Sequence, residues 1–240
     1  MSILKRNLHA GCRRVTYLDS GAPTLQAFAR KLLKKDVFGR ILLISDEHGR
    51  AILRDAGCAR PGARLVARWL LAREARALAA LEKLDAVPRM ILHRRLSLRR
   101  TYIDGDAMYR VRPKNAAYFR SAARLLRRVH RLGVVHNDLA KEANWLVTSD
   151  GEPALVDFQL AWYRPQRGIL FRILGREDLR HLLKHKRTYC PGSLTKRELG
   201  ILDKPALISK VWMLTGKKLY LLITRGLLKW EERKGAEERN

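Results

Sequence analysis

The chain has 240 residues, 47% of them hydrophobic, with 50 Lys and Arg against 23 Asp and Glu for a formal charge of +27. Such length and apolar content exclude a disordered chain and suit one large or compact bilobal domain. No stretch approaches the roughly 20 apolar residues that span a bilayer. The opening Met1 to Arg6 lacks an apolar run for a signal peptide. Cys12, Cys58 and Cys190 form no paired thiol motif, so a reducing cytoplasm is the expected setting. The positive excess favours a polyanionic partner. Pairs such as Arg94-Arg95, Arg99-Arg100 and Arg127-Arg128 spread that charge along the chain.

Residues 1–35 read as a weakly patterned lead-in ending at Lys34-Lys35-Asp36. Ile41 to Ile44 and Ala51 to Leu53, around a turn at Asp46-Glu47-His48-Gly49, predict a β-hairpin. Val37-Phe38-Gly39-Arg40 carries one glycine, too few for a Gly-rich cover over phosphates. After a loop with Gly57, Pro61 and Gly62, the spacing predicts a helix from Leu65 to Leu84, with Trp69, Leu70, Leu78 and Leu81 among its apolar positions and Pro88 at its exit. Met90 to His93 and Leu98 to Ile103 predict two more strands, and Asp104-Gly105-Asp106 a hinge into a helical half.

Asn115 can cap a helix whose apolar residues Phe119, Ala122, Leu125, Leu126, Val129 and Leu132 recur at three and four positions. Gly133 suits its left-handed stop. Trp145 to Val147, a turn at Ser149-Asp150-Gly151, and Ala154 to Val156 predict a short hairpin flanked by Asn144 and Asp157. A basic helix follows within Gly168 to His185. Between Lys217 and Trp230, apolar and basic residues recur at helical spacing. That segment suits a core-facing terminal helix or one resting on an anionic leaflet.

The segment His136-Asn137-Asp138-Leu139-Ala140-Lys141-Glu142-Ala143-Asn144, followed by Val156-Asp157-Phe158, carries the chemistry. Phosphoryl transfer asks a protein to position an acceptor hydroxyl and to hold metal ions on oxygen ligands against the phosphates. An Asp and an Asn on a polar loop, with a second Asp at a strand end, supply those oxygens. His136 reads as a structural residue that holds the loop through hydrogen bonds.

These residues resemble the catalytic and metal loops of the protein-kinase-like superfamily, H-x-D-x-x-x-x-N and D-F-G. The resemblance implies an α+β, bilobal protein-kinase-like fold. It has a small antiparallel-sheet N-lobe with one long helix in residues 1–104, after a lead-in, and a mainly helical C-lobe in residues 105–240. It implies ATP and magnesium as cofactors, with Asp138 orienting the acceptor hydroxyl and Asn144 and Asp157 binding the metal. On this resemblance Lys141 is expected to neutralise the γ-phosphate, and Arg54 and Glu74 to grip the other phosphates as an ion pair. Four departures stand out. Asp138 and Asn144 are six positions apart, one more than the family pattern. Gln159 replaces the glycine after Asp-Phe, and Arg54 stands where the family has Lys, leaving Lys34 or Lys35 as substitutes. No Ala-Pro-Glu segment follows Asp157.

The short chain after Asp157 is similar to RIO-type kinases and, more closely, to bacterial lipopolysaccharide-core sugar kinases. The latter resemblance implies a core-sugar hydroxyl as acceptor at the cytoplasmic face of the inner membrane. The former implies a serine/threonine kinase associated with ribosomes and their RNA. A nucleotide-binding pseudokinase is the third expectation.

Overall fold

The computed structural model describes residues 29–47 and 49–203. It begins with β1 (Ala29–Asp36), a strand that falls in the predicted lead-in. All eight of its residues are exposed, so no in-and-out alternation marks it in the sequence. β1 pairs antiparallel with β2 (Gly39–Asp46), and β2 with β3 (Gly49–Asp55), which is the predicted hairpin. The turn joining β1 to β2 needs its glycine. Gly39 has φ 127°, and a Cβ there would stand 2.1 Å from the Asp55 carbonyl oxygen. Gly39 therefore serves close strand approach.

α1 (Arg64–Ala80) starts one residue before the predicted helix and stops short of Leu84. Leu81 closes the helix, and Leu84 N donates to Leu81 O in a further turn. Leu70, Leu71 and Leu78 are buried, whereas Trp69 is half exposed beneath the Arg73 guanidinium, 4.5 Å from its ring centre. β4 (Met90–Arg94) and β5 (Ser97–Thr101) complete a five-stranded antiparallel sheet in the order β1-β2-β3-β5-β4. β5 ends two residues before the predicted Ile103.

The chain crosses at β6 (Asp106–Ala107) and the single turn α2 (Met108–Val111) into a helical half. α3 (Ala116–Arg131) is the helix predicted behind Asn115, whose side chain accepts from Ala117 N at 2.8 Å. Gly133 takes φ 77° after its end. β7 (Val134–Val135) leads to the polar loop, and β8 (Trp145–Val147) and β9 (Pro153–Leu155) form the predicted hairpin. β10 (Trp162–Tyr163) pairs back on β7. α4 (Ile169–Tyr189) is the basic helix, and α5 (Lys196–Asp203) follows it. Thr195 and Glu198 cap α5 reciprocally, Glu198 N donating to Thr195 Oγ1 at 3.2 Å and Thr195 N to Glu198 Oε2 at 2.8 Å.

One buried cluster runs through both halves, from Leu78 and Leu98 to Phe119, Leu126, Trp145, Phe158 and Leu182. Each fully buried leucine or phenylalanine in it contributes roughly 1.5–3 kcal/mol of transfer free energy. The polar loop and the segment after Asp157 thus sit against a packed base. No helix among the described residues is long and apolar enough to cross a membrane. Among the described residues Cys190 is a free thiol. The segment from Lys217 to Trp230 lies outside the described residues.

Candidate active site

A single buried carboxylate holds the polar loop from behind. Asp178, on α4, accepts from His136 N at 2.7 Å and from Asn137 N at 2.9 Å, and His130 Nε2 stands 3.2 Å from it. Its side chain is only 2% exposed, so these bonds work in a low-dielectric setting. Asn137 takes φ 63°, a left-handed conformation that Asn tolerates, and its Nδ2 donates to Leu160 O. His136 is fully buried. Its Nε2 lies 3.0 Å from Val156 O and its ring packs on Phe158.

Within the loop, Asp138 Oδ2 accepts from Lys141 Nζ at 2.7 Å and from Asn144 Nδ2 at 3.0 Å. Asn144 Nδ2 also donates to Asp138 O at 2.9 Å. The extra residue between Asp138 and Asn144 is absorbed by a 3₁₀ turn at Glu142–Asn144, in which Asn144 N donates to Lys141 O. α4 pins that turn from outside. Tyr189 Oη donates to Glu142 Oε2, and His185 Nε2 stands 2.8 Å from Leu139 O. Burial, then the Glu142 carboxylate, push the Tyr189 phenol up to about 12.

Asp157 adopts φ 66° and ψ 65°, a strained conformation costing about 1–3 kcal/mol for a residue with a Cβ. A 3₁₀ turn at Phe158–Leu160 follows. Arg73 of α1 fastens it, donating to Ala161 O at 3.0 Å and to Leu160 O at 2.8 Å. The segment around Gln159 is thus tied to α1 and, through Asn137, to the polar loop.

Arg54 on β3 reaches both neighbours that a phosphate grip would need. Its Nε stands 3.3 Å from Glu74 Oε2 on α1, and its Nη2 stands 3.1 Å from Asp157 Oδ1. Arg100 on β5 pairs with the other Glu74 oxygen at 3.1 Å. Both Glu74 contacts fall outside hydrogen-bond geometry, so charge rather than directed bonding balances this carboxylate. Burial works against ionisation of Asp157, yet the Arg54 and Arg100 guanidiniums hold its carboxyl below the usual range. Lys34 and Lys35 are exposed on β1, with Lys34 paired to Asp36 at 3.1 Å. It is Arg54, not either lysine, that meets Glu74.

The structure therefore brings Asp138, Lys141 and Asn144 into one cluster and Arg54, Glu74 and Asp157 into a second. Val156 N donates to Asn144 O at 3.1 Å and joins the two. Sequence reasoning missed Arg100 and Asp178. Arg100 sits in a run of arginines on a strand, and Asp178 is the acid of a basic helix; neither pattern announces a buried partner.

Residues 51–173, just over half of the chain, match the RIO domain. The chain belongs to the RIO domain family. No curated protein matches it. Among solved structures it is similar to the Rio2 kinase from Chaetomium thermophilum, at 18% identity and a TM-score of 0.54 over 69% of this chain and 58% of that one. It is also similar to the Rio2 kinase–ADP/Mg2+–phosphoaspartate complex from the same organism, at 15% identity and a TM-score of 0.55 over 85% and 69% of the two chains. The RIO-domain chain thus spans well under two thirds of the first Rio2 structure. At these identities the likeness is one of fold, the bilobal protein-kinase-like arrangement of an antiparallel-sheet half and a helical half.

Proposed function

We propose that this RIO-domain chain is an ATP- and magnesium-dependent kinase that transfers a phosphoryl group to a hydroxyl. The observation that carries the reading is the pair of oxygen donors at one end of the β8–β9 hairpin. Asn144 commits Nδ2 to Asp138, leaving Oδ1 for a metal, and Asp157 is kept ionised by two guanidiniums. Magnesium takes hard oxygen ligands of this kind and completes its shell with phosphate and water. Among the described residues no three His, Cys, Asp or Glu side chains converge on a metal position, which suits an ion shared with a phosphate. ATP supplies the phosphoryl group when bound, and magnesium neutralises its charge.

The chain's own residues do the remaining work. Asp138, aimed by Lys141 and Asn144, orients the acceptor hydroxyl and takes its proton. Lys141 places a positive charge beside the transferred group. Arg54 offers a planar fork toward phosphate in place of a lysine ammonium, steadied by Glu74 and, behind it, Arg100. Positioning and electrostatics of this sort are nearly all that phosphoryl transfer requires.

The RIO match favours the RIO-type reading, a serine/threonine protein kinase that itself associates with ribosomes. The charge of +27 would draw the chain to that polyanionic particle. A lipopolysaccharide-core sugar hydroxyl at the inner face of the inner membrane is the second reading. Its support is the basic helix α4, whose Arg172, Arg176, Arg180 and Lys184 match phosphate-bearing core sugars electrostatically. Labelled γ-phosphate offered with magnesium to ribosomal particles and to purified core oligosaccharide tests both. Label on ribosomal protein upholds the first reading and label on sugar the second. ATP binding with no label on either leaves a nucleotide-binding scaffold and refutes the kinase.

A further inference from the structure

A cavity of about 580 Å³ lies between α3 and α4, apart from the cluster at Asp138. Arg127 and Arg131 enter it from successive turns of α3, and Arg172 and Arg176 from successive turns of α4. Arg167 joins them from the loop before α4, on a backbone held at φ 44°. All five arginines are exposed, no carboxylate lines the cavity, and none of the five ion-pairs with a carboxylate among the described residues. The floor is apolar, formed by Leu126, Phe171 and Leu179.

We infer that this cavity is a binding site for a small ligand that carries two or more phosphate groups on a less polar body. Five fixed positive charges at one mouth repel one another unless an anion sits among them. Guanidinium forks arriving from two helices match phosphate oxygens, which accept bidentate bonds from several arginines at once. The volume lies in the usual small-ligand range of about 300–1,000 Å³. The apolar floor gives the rest of such a ligand a place to shed water.

The rest of the chain supplies no net counter-charge. Residues 1–28 carry four Lys and Arg against one Asp, and residues 204–240 carry nine against four Glu. Both would add positive charge to a cationic cavity. A single-stranded nucleic acid would want exposed aromatic faces on which bases stack, and Phe171 is buried. The one histidine at the cavity, His130, is backed by Asp178, so the site abuts the carboxylate that holds the polar loop. A Cβ on Gly175 would come within 3.4 Å of the His130 ring, so the helix turn under it is kept clear by a glycine.

The test is calorimetric titration of inorganic pyrophosphate, without magnesium, into the full-length protein. Arg127→Gln with Arg172→Gln removes one arginine from each helix of the cavity. Arg95→Gln with Arg128→Gln removes the same charge from exposed positions elsewhere. The cavity pair is expected to bind pyrophosphate about tenfold more weakly or not at all, and the control pair as the wild type does. Equal weakening in both pairs, unchanged binding in the cavity pair, or no binding by the wild type would overturn the site. Should the first pair unfold, as thermal melting will show, Arg131→Gln with Arg176→Gln replaces it under the same criteria. Flotation with phosphatidylglycerol vesicles then separates sources. Cavity-dependent flotation that pyrophosphate competes away assigns the phosphates to a lipid headgroup, and pyrophosphate binding without flotation assigns them to a free ligand; both uphold the site. Cavity-dependent retention of single-stranded RNA that pyrophosphate fails to displace would overturn it.

Discussion

Arg54 Nη2 stands 3.1 Å from Asp157 Oδ1 while the Nε of the same guanidinium stands 3.3 Å from Glu74. One planar group therefore joins strand, helix and the segment after β9. A lysine ammonium is a compact point charge on one nitrogen and cannot present two separated donor nitrogens to the two carboxylates as this fork does. Arg54 thus has a structural reason to replace the family's lysine, with Arg100 taking up the second Glu74 oxygen.

From this geometry, Arg54→Lys should keep one contact and lose the other. We expect a stability loss of about 1–2 kcal/mol, in line with one charge-assisted bond, and a raised KM for ATP. Arg54→Met should cost about 3 kcal/mol by leaving Asp157 without its direct counter-charge. Thermal unfolding reads the difference, at roughly 2–4 °C per kcal/mol for a chain of this size. Equal melting temperatures for wild type and Arg54→Met would contradict the bridge.

Among the described residues Glu74 is the carboxylate that ion-pairs with Arg100, and it is fully buried. Glu74→Gln would leave buried Arg100 without its ion-pair partner and Arg54 with Asp157 alone, which costs about 3–5 kcal/mol. Glu74→Gln combined with Arg100→Met should recover part of that loss, since one orphaned charge goes with it. A double-mutant cycle in denaturant checks this, and strict additivity would refute the coupling.

Asp178 makes a separate prediction about the polar loop. Its two bonds from His136 N and Asn137 N mean that Asp178→Ala leaves two donors unpaired, at about 1–3 kcal/mol each. Asp178→Asn keeps a carbonyl acceptor and should lose less. Amide hydrogen exchange at His136 and Asn137 should accelerate in both variants, and most in the alanine one. Unchanged exchange would show that the loop does not depend on α4.

The pH dependence follows from Asp157. Its folded value lies below the ordinary 3.8 despite burial, because Arg54 and Arg100 favour the carboxylate. A depressed carboxyl contributes stability that is fully present above its unfolded value and is lost as pH falls through the folded one. Acid unfolding of the wild type should therefore set in below about pH 4, and Arg54→Met should unfold at higher pH. Circular dichroism against pH measures both; identical acid midpoints would contradict the coupling.

Lys141 is 62% exposed and touches Asp138, so its removal should affect chemistry more than folding. Lys141→Met is expected to lower kcat by about 10²-fold, the scale of losing one preorganised charge, with an unchanged melting temperature. A fall in KM alone, or no kinetic change, would remove Lys141 from the reaction.

Local signals carried much of the fold. The Asn115 cap, the three-and-four spacing of α3 and the stop at Gly133 all reappear, as do both hairpins. Such features are local, resting on a few neighbouring side chains. β1 was not legible because its eight exposed residues show no alternation. The early end of α1 reflects Leu81 and Leu84 folding into a tighter turn under the same apolar pattern. Clustering of Asp138 with Asn144 could be anticipated from spacing, yet the 3₁₀ turn that absorbs the extra residue depends on Tyr189, 47 positions away. Arg100 and Asp178 were hidden for the same reason. Their partners lie on other elements, and a charged residue in a basic run looks solvated until the fold buries it.

The roles of Asp138 and Asp157 are decided by phosphate transfer from ATP in Asp138→Ala and Asp157→Ala, measured beside the wild type with melting temperatures recorded. Labelled acceptor is expected with the wild type and none with either variant while both remain folded. Wild-type levels of transfer by both folded variants would contradict it.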